Sequence, residues 1–295
     1  MTETISLHGV TKRYGQIVAV RDLDLTLREG EVVALVGHNG AGKTTQIKMM
    51  LGLARPTSGT VRLFGADPAG DGFANRAAVG YLPESVSFHL ALTGRETLAF
   101  YARLKGFDAR SLDPAFAAVG LEGAADRPVG GYSKGMRQRL GLAQALLGAP
   151  RVLILDEPTS GLDPALRRDF YSIVAARAAA GATVLLASHA LTELEGRADR
   201  VVIVDRGVKI ADGSLDELRR IARLPVNVRL RPSGEFARKG WRSLGDGSFE
   251  TSVDPDAKLP LLARLLSDPA DVADLSISEP TLDDLYAHFL RREAA

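Results

Sequence analysis

The sequence predicts an α/β chain: a largely parallel sheet with helices packed on it, N-terminal antiparallel strands, and a small C-terminal α+β extension. Three observations carry this. The runs EVVALVG (31–37), RVLILDE (151–157), ATVLLASH (182–189) and RVVIVDRG (200–207) alternate with helical patterns from Ile5 to about Ile221. Short, β-branched and apolar on both faces, they read as strands buried under helices. ISLHGVTKRYG and VRDLDLTLREGE instead alternate apolar with polar residues, as half-exposed antiparallel strands do. After about Arg223 the texture changes. PVNVRLR alternates cleanly and GSFETSV can pair with it, DAKLPLLARLL reads as a helix despite Pro260 near its start, DVADLSIS as a strand, and TLDDLYAHFLRR as a last helix with Thr281 as N-cap and Asp284 near a capping-box position. The expected division is a main domain over 1–222 and an accessory domain over 223–295, the second too small to promise much stability of its own.

Composition narrows the functional classes. With 37 basic and 36 acidic side chains the formal charge is +1, so bulk charge makes no case for a nucleic-acid partner. The absence of cysteine excludes disulfides, thiolate metal sites and a cysteine nucleophile, and fits a reducing compartment. No apolar run approaches the roughly 18 residues that span a bilayer, so any membrane role is expected to come through a partner.

The first element with chemistry follows the strand EVVALVG. GHNGAGKT, Gly37 to Thr44, fits G-x-x-x-x-G-K-[ST] in full, directly after a strand and before a helical pattern with Ile47, Met50 and Leu51 on one face. Across Gly37, His38, Asn39, Gly40, Ala41 and Gly42 the glycines let backbone N–H groups turn inward around an oxyanion, and the helix start adds positive potential. Lys43 reaches the terminal phosphates, the Thr44 hydroxyl serves Mg²⁺, and Thr45 donates to a phosphate. In VLILDE, Asp156 at the carboxyl end of a strand expected to neighbour the cradle is placed to hold Mg²⁺ through water. Glu157, one residue on, is placed to polarise the water that attacks the γ-phosphate. Together these describe a nucleoside triphosphatase.

A second stretch, GGYSKGMRQRLGLAQAL (130–146), admits three readings: a basic strip, a solvated helix face, or half of a phosphate site. Ser133 is a good N-cap, and Met136, Leu140, Ala143 and Leu147 recur at helical spacing. That makes it a helix start whose positive end suits a phosphate.

YSKGMRQRL lies just upstream of DEPTSGLD, and this order resembles the signature and D-loop of ABC transporter ATP-binding subunits. His189 resembles that family's switch histidine, Ser160 to Asp163 its D-loop, and Tyr14 in KRYG its adenine-stacking aromatic. The resemblance covers about residues 3 to 220. It implies a P-loop ABC-type nucleotide-binding domain with a mixed sheet core and a helical signature subdomain over about 86–147, using ATP and Mg²⁺. In that reading His189 bonds the γ-phosphate, Asp163 belongs to the nucleotide-binding residues, and two copies pack head to tail as a homodimer, so that Ser133 and Gly135 of one complete the site of the other. The implied partners are integral membrane permease subunits and a periplasmic accessory protein, not nucleic acid, at the cytoplasmic face of a bacterial inner membrane. A permease contact is expected around 87–107, with Leu92, Leu98, Phe100, Tyr101 and Leu104 among its apolar residues.

Two positions depart from the family pattern. Glu84 in YLPESVSF stands where most members carry the Q-loop glutamine, and Lys134 and Met136 replace the signature's second glycine and its glutamine. Glu84 is expected to be a metal-facing variant that increases dependence on Mg²⁺. More narrowly, YLPESVSF, LTGRETLAFYARLKG, LPVNVRLR and the closing TLDDLYAHF resemble the ATPases of transporters used in copper-site maturation of nitrous oxide reductase. Drug, haem and polysaccharide exporters share much of the pattern, and a nucleotide-dependent regulator or assembly factor is the reading from another class. With no cysteine, four methionines and five scattered histidines, no stretch has copper-ligand spacing, so copper or a sulfur species would be cargo handled elsewhere.

Overall fold

A computed structural model describes residues 2–108, 112–160, 162–189, 191–234, 236, 239–267 and 272–293. The chain forms two compact units, Met1–Asp212 and Gly213–Ala295.

The first unit holds two sheets. β1 (Glu3–Tyr14) and β2 (Ile17–Arg28) form an antiparallel hairpin, and β4 (Ser58–Leu63) pairs with the other edge of β1. The second sheet has the order β5 (Val79–Leu82), β6 (Val152–Asp156), β7 (Thr183–Ser188), β3 (Val32–Val36), β8 (Arg200–Asp205) and β9 (Val208–Gly213). β5–β6, β6–β7, β7–β3 and β3–β8 are all parallel pairings. The apolar runs at β3, β6 and β7 are buried at every position, as two-sided burial requires.

The order corrects one expectation. β6 is not the neighbour of β3, because β7 lies between them. The histidine-bearing strand therefore separates the cradle strand from the Asp156 strand.

Helix α1 (Lys43–Met50) is buried around most of its surface, with Gln46, Ile47, Met49 and Met50 inside rather than a single apolar stripe. α2 (Gly94–Leu104), α3 (Asp113–Ala118) and α4 (Lys134–Leu146) build the helical region, with α4 packed against both α2 and α3. Thr93 caps α2 in a reciprocal capping box with Glu96. Leu98 belongs to the core, because the side of α2 that meets α4 must be apolar; Leu92, Phe100 and Leu104 stay exposed and Tyr101 is half-buried. α5 (Pro164–Ala179) follows β6 and carries Pro164 at its start, where no intrahelical donor is needed.

The second unit begins ten residues before the boundary expected from texture. The reason is α6 (Leu215–Ala222), which packs on the last helix, with Arg219 Nε donating to Pro280 O at 3.0 Å. Its sheet runs β11 (Arg242–Ser243), β12 (Phe249–Val253), β10 (Val226–Pro232), β13 (Val272–Ser278), antiparallel throughout. Leu261 and Leu265 of α7 (Lys258–Leu265) cluster with Val228 and Leu230. α8 (Leu282–Glu293) starts at Thr281, whose hydroxyl accepts from Asp284 N at 3.2 Å while Asp284 Oδ2 accepts from Thr281 N at 2.9 Å.

Candidate active site

Three neighbouring strand ends create the site. Val36 of β3 pairs with Ser188 of β7, and Ala187 pairs with Asp156 of β6, so the three strands finish nearly level. Gly37, His189 and Glu157 therefore emerge side by side at one edge, as side chains outside the carboxyl ends of an α/β sheet do. Glu157 adopts a left-handed backbone, φ 47°, which turns the chain sharply after β6. A side chain rarely accepts that conformation without a surrounding structure that imposes it.

The loop Gly37–Gly42 is shaped by close packing. A methyl at Gly37 would come within 2.5 Å of Val204 O and 2.8 Å of Ala41 Cβ. Gly42, at φ 98°, starts α1, and a methyl there would lie 2.4 Å from Ala19 O of β2. Gly207, in the turn between β8 and β9, has φ 83°; its N–H donates to Ala41 O at 3.0 Å and its carbonyl accepts from Arg21 N at 2.8 Å. The hairpin β1–β2 and the β8–β9 turn thus clamp the loop from outside. Gly207 was not singled out by sequence, where a single glycine after RVVIVDR gives no more than a turn signal. His38, Asn39 and Gly40 are exposed at the mouth, and a methyl at Gly40 would meet open space.

Lys43 is 6% exposed, with Nζ 2.5 Å from Gly37 O and 3.5 Å from both His38 O and Glu157 Oε1. The approach to Glu157 is at ion-pair distance without hydrogen-bond geometry, so Oε1 is buried with no donor. The other oxygen, Oε2, is 2.8 Å from His189 Nδ1 and accepts from Ser188 Oγ at 3.4 Å. Thr44 Oγ1 donates to Asp156 Oδ2 at 3.3 Å, reaching past β7 to do so.

Negative charge is concentrated here. Burial, then the Glu157 carboxylate, push the Asp156 carboxyl up to about 6, with Glu84 adding to the rise and Thr44 and Lys43 opposing it. Burial, then Asp156 and Glu84, push the Tyr81 phenol up to about 12. Glu84, exposed just beyond β5, is thereby within electrostatic reach of Asp156. The neighbouring oxygens Thr44 Oγ1 and Asp156 Oδ2 are donors of the kind a divalent cation takes, although among the described residues no three acidic or histidine side chains gather as a metal cluster.

Tyr14 is 48% exposed at the hairpin end, with Lys12 Nζ 4.9 Å above its ring. It lies at the same end of the hairpin as Ala19, which touches Gly42 and Gly207. Thr45 is half-buried on α1.

Ser133 is the N-cap of α4, its Oγ accepting from Met136 N at 3.2 Å. A methyl at Gly135 would meet Leu166 Cδ1 at 2.9 Å, and Gln138 Nε2 donates to Pro158 O at 3.0 Å. Among the described residues neither Ser133 nor Gly135 hydrogen-bonds to the loop 37–45. Asp163 is the N-cap of α5, its Oδ1 accepting from Ala165 N and Leu166 N, both at 3.0 Å. Gly161 of the D-loop stretch lies outside the described residues.

A family model described as ABC transporter matches residues 20–160. The chain is 34% identical to the daunorubicin/doxorubicin resistance ATP-binding protein DrrA of Streptomyces peucetius, over 97% of this chain and 92% of that protein. It is 31% identical to the bacitracin transport ATP-binding protein BcrA of Bacillus licheniformis over 98% of each. It is 39% identical to the Nod factor export ATP-binding protein I of Burkholderia orbicola over 90% of each. A solved ATP-binding subunit of an ABC transporter superposes with a TM-score of 0.69 at 32% identity, covering 74% of this chain and 92% of that one. A dimeric bacterial ABC transporter cassette shares the fold, with a TM-score of 0.67 at 23% identity over 72% of this chain and 98% of that one.

Proposed function

The chain belongs to the ABC transporter ATP-binding subunits and is an ATPase, and from that premise we propose that it powers export of a small amphiphilic molecule through integral membrane subunits. The observation that carries the cargo class is the extent of the match. The solved subunit covers 74% of the chain, whereas the resistance and bacitracin transport proteins match 97% and 98% of it, through the second unit as well. Their names refer to amphiphilic compounds. Service in copper-site maturation of nitrous oxide reductase, and with it a periplasmic accessory protein, rests on the narrower sequence resemblance alone.

The geometry supports the following roles. Lys43 and the N–H groups of 37–45 hold the triphosphate, and Tyr14 offers the adenine a flat face. Thr44 and Asp156, with Glu84 nearby, would hold Mg²⁺; when bound it supplies charge neutralisation to the phosphates. Glu157 keeps a buried oxygen without a donor, the feature a water-polarising carboxylate requires, and His189 on its other oxygen orients it. Ser133 and Gly135 start a helix whose positive end would complete the site of a second copy. No helix among the described residues is long and apolar enough to cross a membrane. We place the chain on the cytoplasmic face of the inner membrane through permease subunits, with exposed Leu92, Phe100 and Leu104 on the contact face.

The test is co-expression with the membrane proteins encoded beside this chain, followed by ATPase measurement in vesicles. The expected result is co-purification and turnover that rises with an anthracycline or a peptide antibiotic. Turnover indifferent to such compounds but dependent on copper or a sulfur species would move the assignment to the maturation reading.

A further inference from the structure

Glu193 lies four residues past His189, in the short turn Leu191–Glu193, and none of the motifs above includes it. Its Oε2 accepts from Thr159 Oγ1 at 2.7 Å and, at the longer distance of 3.5 Å, from Tyr171 OH. Its Oε1 accepts from Arg167 Nη1 at 2.5 Å. Thr159 is two residues past Glu157 and buried, while Arg167 and Tyr171 belong to α5. Arg167 also donates from Nε to Leu162 O at 2.9 Å, and the Arg197 guanidinium covers the Tyr171 ring at 4.0 Å. One carboxylate, 19% exposed, therefore joins the chain after Glu157, the chain after His189 and the helix that follows the D-loop.

The histidine of the pair that this carboxylate brackets is held more loosely. The His189 side chain is 56% exposed, and among the described residues its polar contact is from Nδ1 to Glu157 Oε2. A half-exposed imidazole held at one atom is not fixed in direction, and a misplacement of about 1 Å at a reacting group can cost about 100-fold in rate. The Thr159–Glu193 bond is a second, inner tie between the same two strand ends.

We propose that Glu193 is a positioning residue for ATP hydrolysis: through Thr159 it sets the separation of His189 from Glu157, and through Arg167 it couples that separation to α5. The inference rests on the assignment of Glu157 and His189 as the hydrolytic pair. It differs from a merely stabilising ion pair in what it predicts. The Thr159 bond needs an acceptor oxygen and not a charge, whereas the Arg167 pair needs the charge.

The experiment compares Glu193→Ala, Glu193→Gln and Thr159→Val in full-length protein, each alone and with His189→Ala, reading kcat, KM, ATP binding and Tm. Glu193→Gln keeps an acceptor for Thr159 and loses the charged partner of Arg167. It is expected to lower Tm while holding kcat within about 2-fold. Thr159→Val keeps the Arg167 pair and the buried volume, and is expected to hold Tm while lowering kcat about 10-fold at unchanged KM. Glu193→Ala is expected to lower both, and neither it nor Thr159→Val should slow the residual turnover of the His189→Ala protein further. A kcat that follows Tm across the three variants, or an equal slowing with and without His189, would overturn the proposal. If Glu193→Ala does not fold, Thr159→Val and Glu193→Gln decide it. Parental turnover by His189→Ala would remove the hydrolytic assignment itself and the inference with it, a result separable from failure at Glu193 alone.

Discussion

The cradle around Lys43 and the helix start at Ser133 both present positive potential suited to phosphate, yet they are built in opposite ways. At the cradle the charged groups are buried and mutually engaged: Lys43 lies under Gly37 O beside Glu157, and Thr44 reaches Asp156. At α4 the polar groups are exposed, Ser133 caps its own helix, and Lys134 stands in solvent. The first region carries its counter-charges within the chain, and the second has a positive helix end with no acidic residue in its first turn. On the proposed function the anion for the second region is the nucleotide of a second copy of the chain. The difference supports the proposal that one region is a binding site while the other is half of a closure.

The largest effect should come from breaking the cradle's chemistry without breaking its hold. Glu157→Gln preserves shape and hydrogen-bonding but removes the charge that polarises water, so turnover is expected to fall by about 100-fold or more with ATP binding retained. Phosphate release and nucleotide binding, measured on the same preparation, check this. Parental turnover would remove Glu157 from the role.

A mixed dimer sharpens the comparison next. Lys43→Ala should disable the cradle. Gly135→Asp should disable the helix start by placing a carboxylate where an anion is to bind; an acidic residue in the first turn does not oppose the helix itself. The methyl contact with Leu166 Cδ1, 2.9 Å, is to the end of a flexible side chain. Each homodimer is expected to be nearly inactive. If the site is completed in trans, a heterodimer carries both defects in one site and leaves the other whole, so a 1:1 mixture that exchanges freely, about half of it heterodimer, should regain about a quarter of parental turnover. Mixtures that stay inactive would place both regions in a site built by one chain.

Much of this is legible in the sequence, and the reason differs by feature. Strands buried on both faces and the eight-residue glycine loop are local patterns, so β3, β6, β7 and the cradle could be read directly. Strand order is not local: nothing in VLILDE says that β7 will lie between it and β3, and that insertion is what brings His189 onto Glu157. Asp163 matches a family motif, but its carboxylate oxygen here accepts from the first N–H groups of α5, a helix-capping role that any Asp before a proline-started helix can take. Gly207 and Glu193 escaped notice because their importance lies in partners nearly 190 and over 30 residues away, Ala19 and Thr159. The domain boundary moved because α6 is amphipathic and its apolar face fits α8.

The smallest expected effect concerns the carboxylates beside the cradle. The Asp156 carboxyl is pushed up to about 6 in the folded chain, chiefly by burial and then by Glu157, with Glu84 contributing. A folded-state value above the unfolded one, about 3.9, means that the folded chain holds the proton more tightly. That contribution to stability is complete below about pH 4 and is lost as pH rises through about 6. Asp156→Asn cannot titrate, so its stability in the absence of nucleotide should change less between pH 4 and 7 than that of the parent. Glu84→Gln removes one of the charges that raise Asp156. It should move the parental loss to lower pH and raise Tm at neutral pH by no more than about 2 °C. Thermal unfolding in a pH series without nucleotide or metal reads both. An unchanged pH profile in Glu84→Gln would show that this carboxylate does not act on Asp156, and would leave the departure at position 84 outside the cation site.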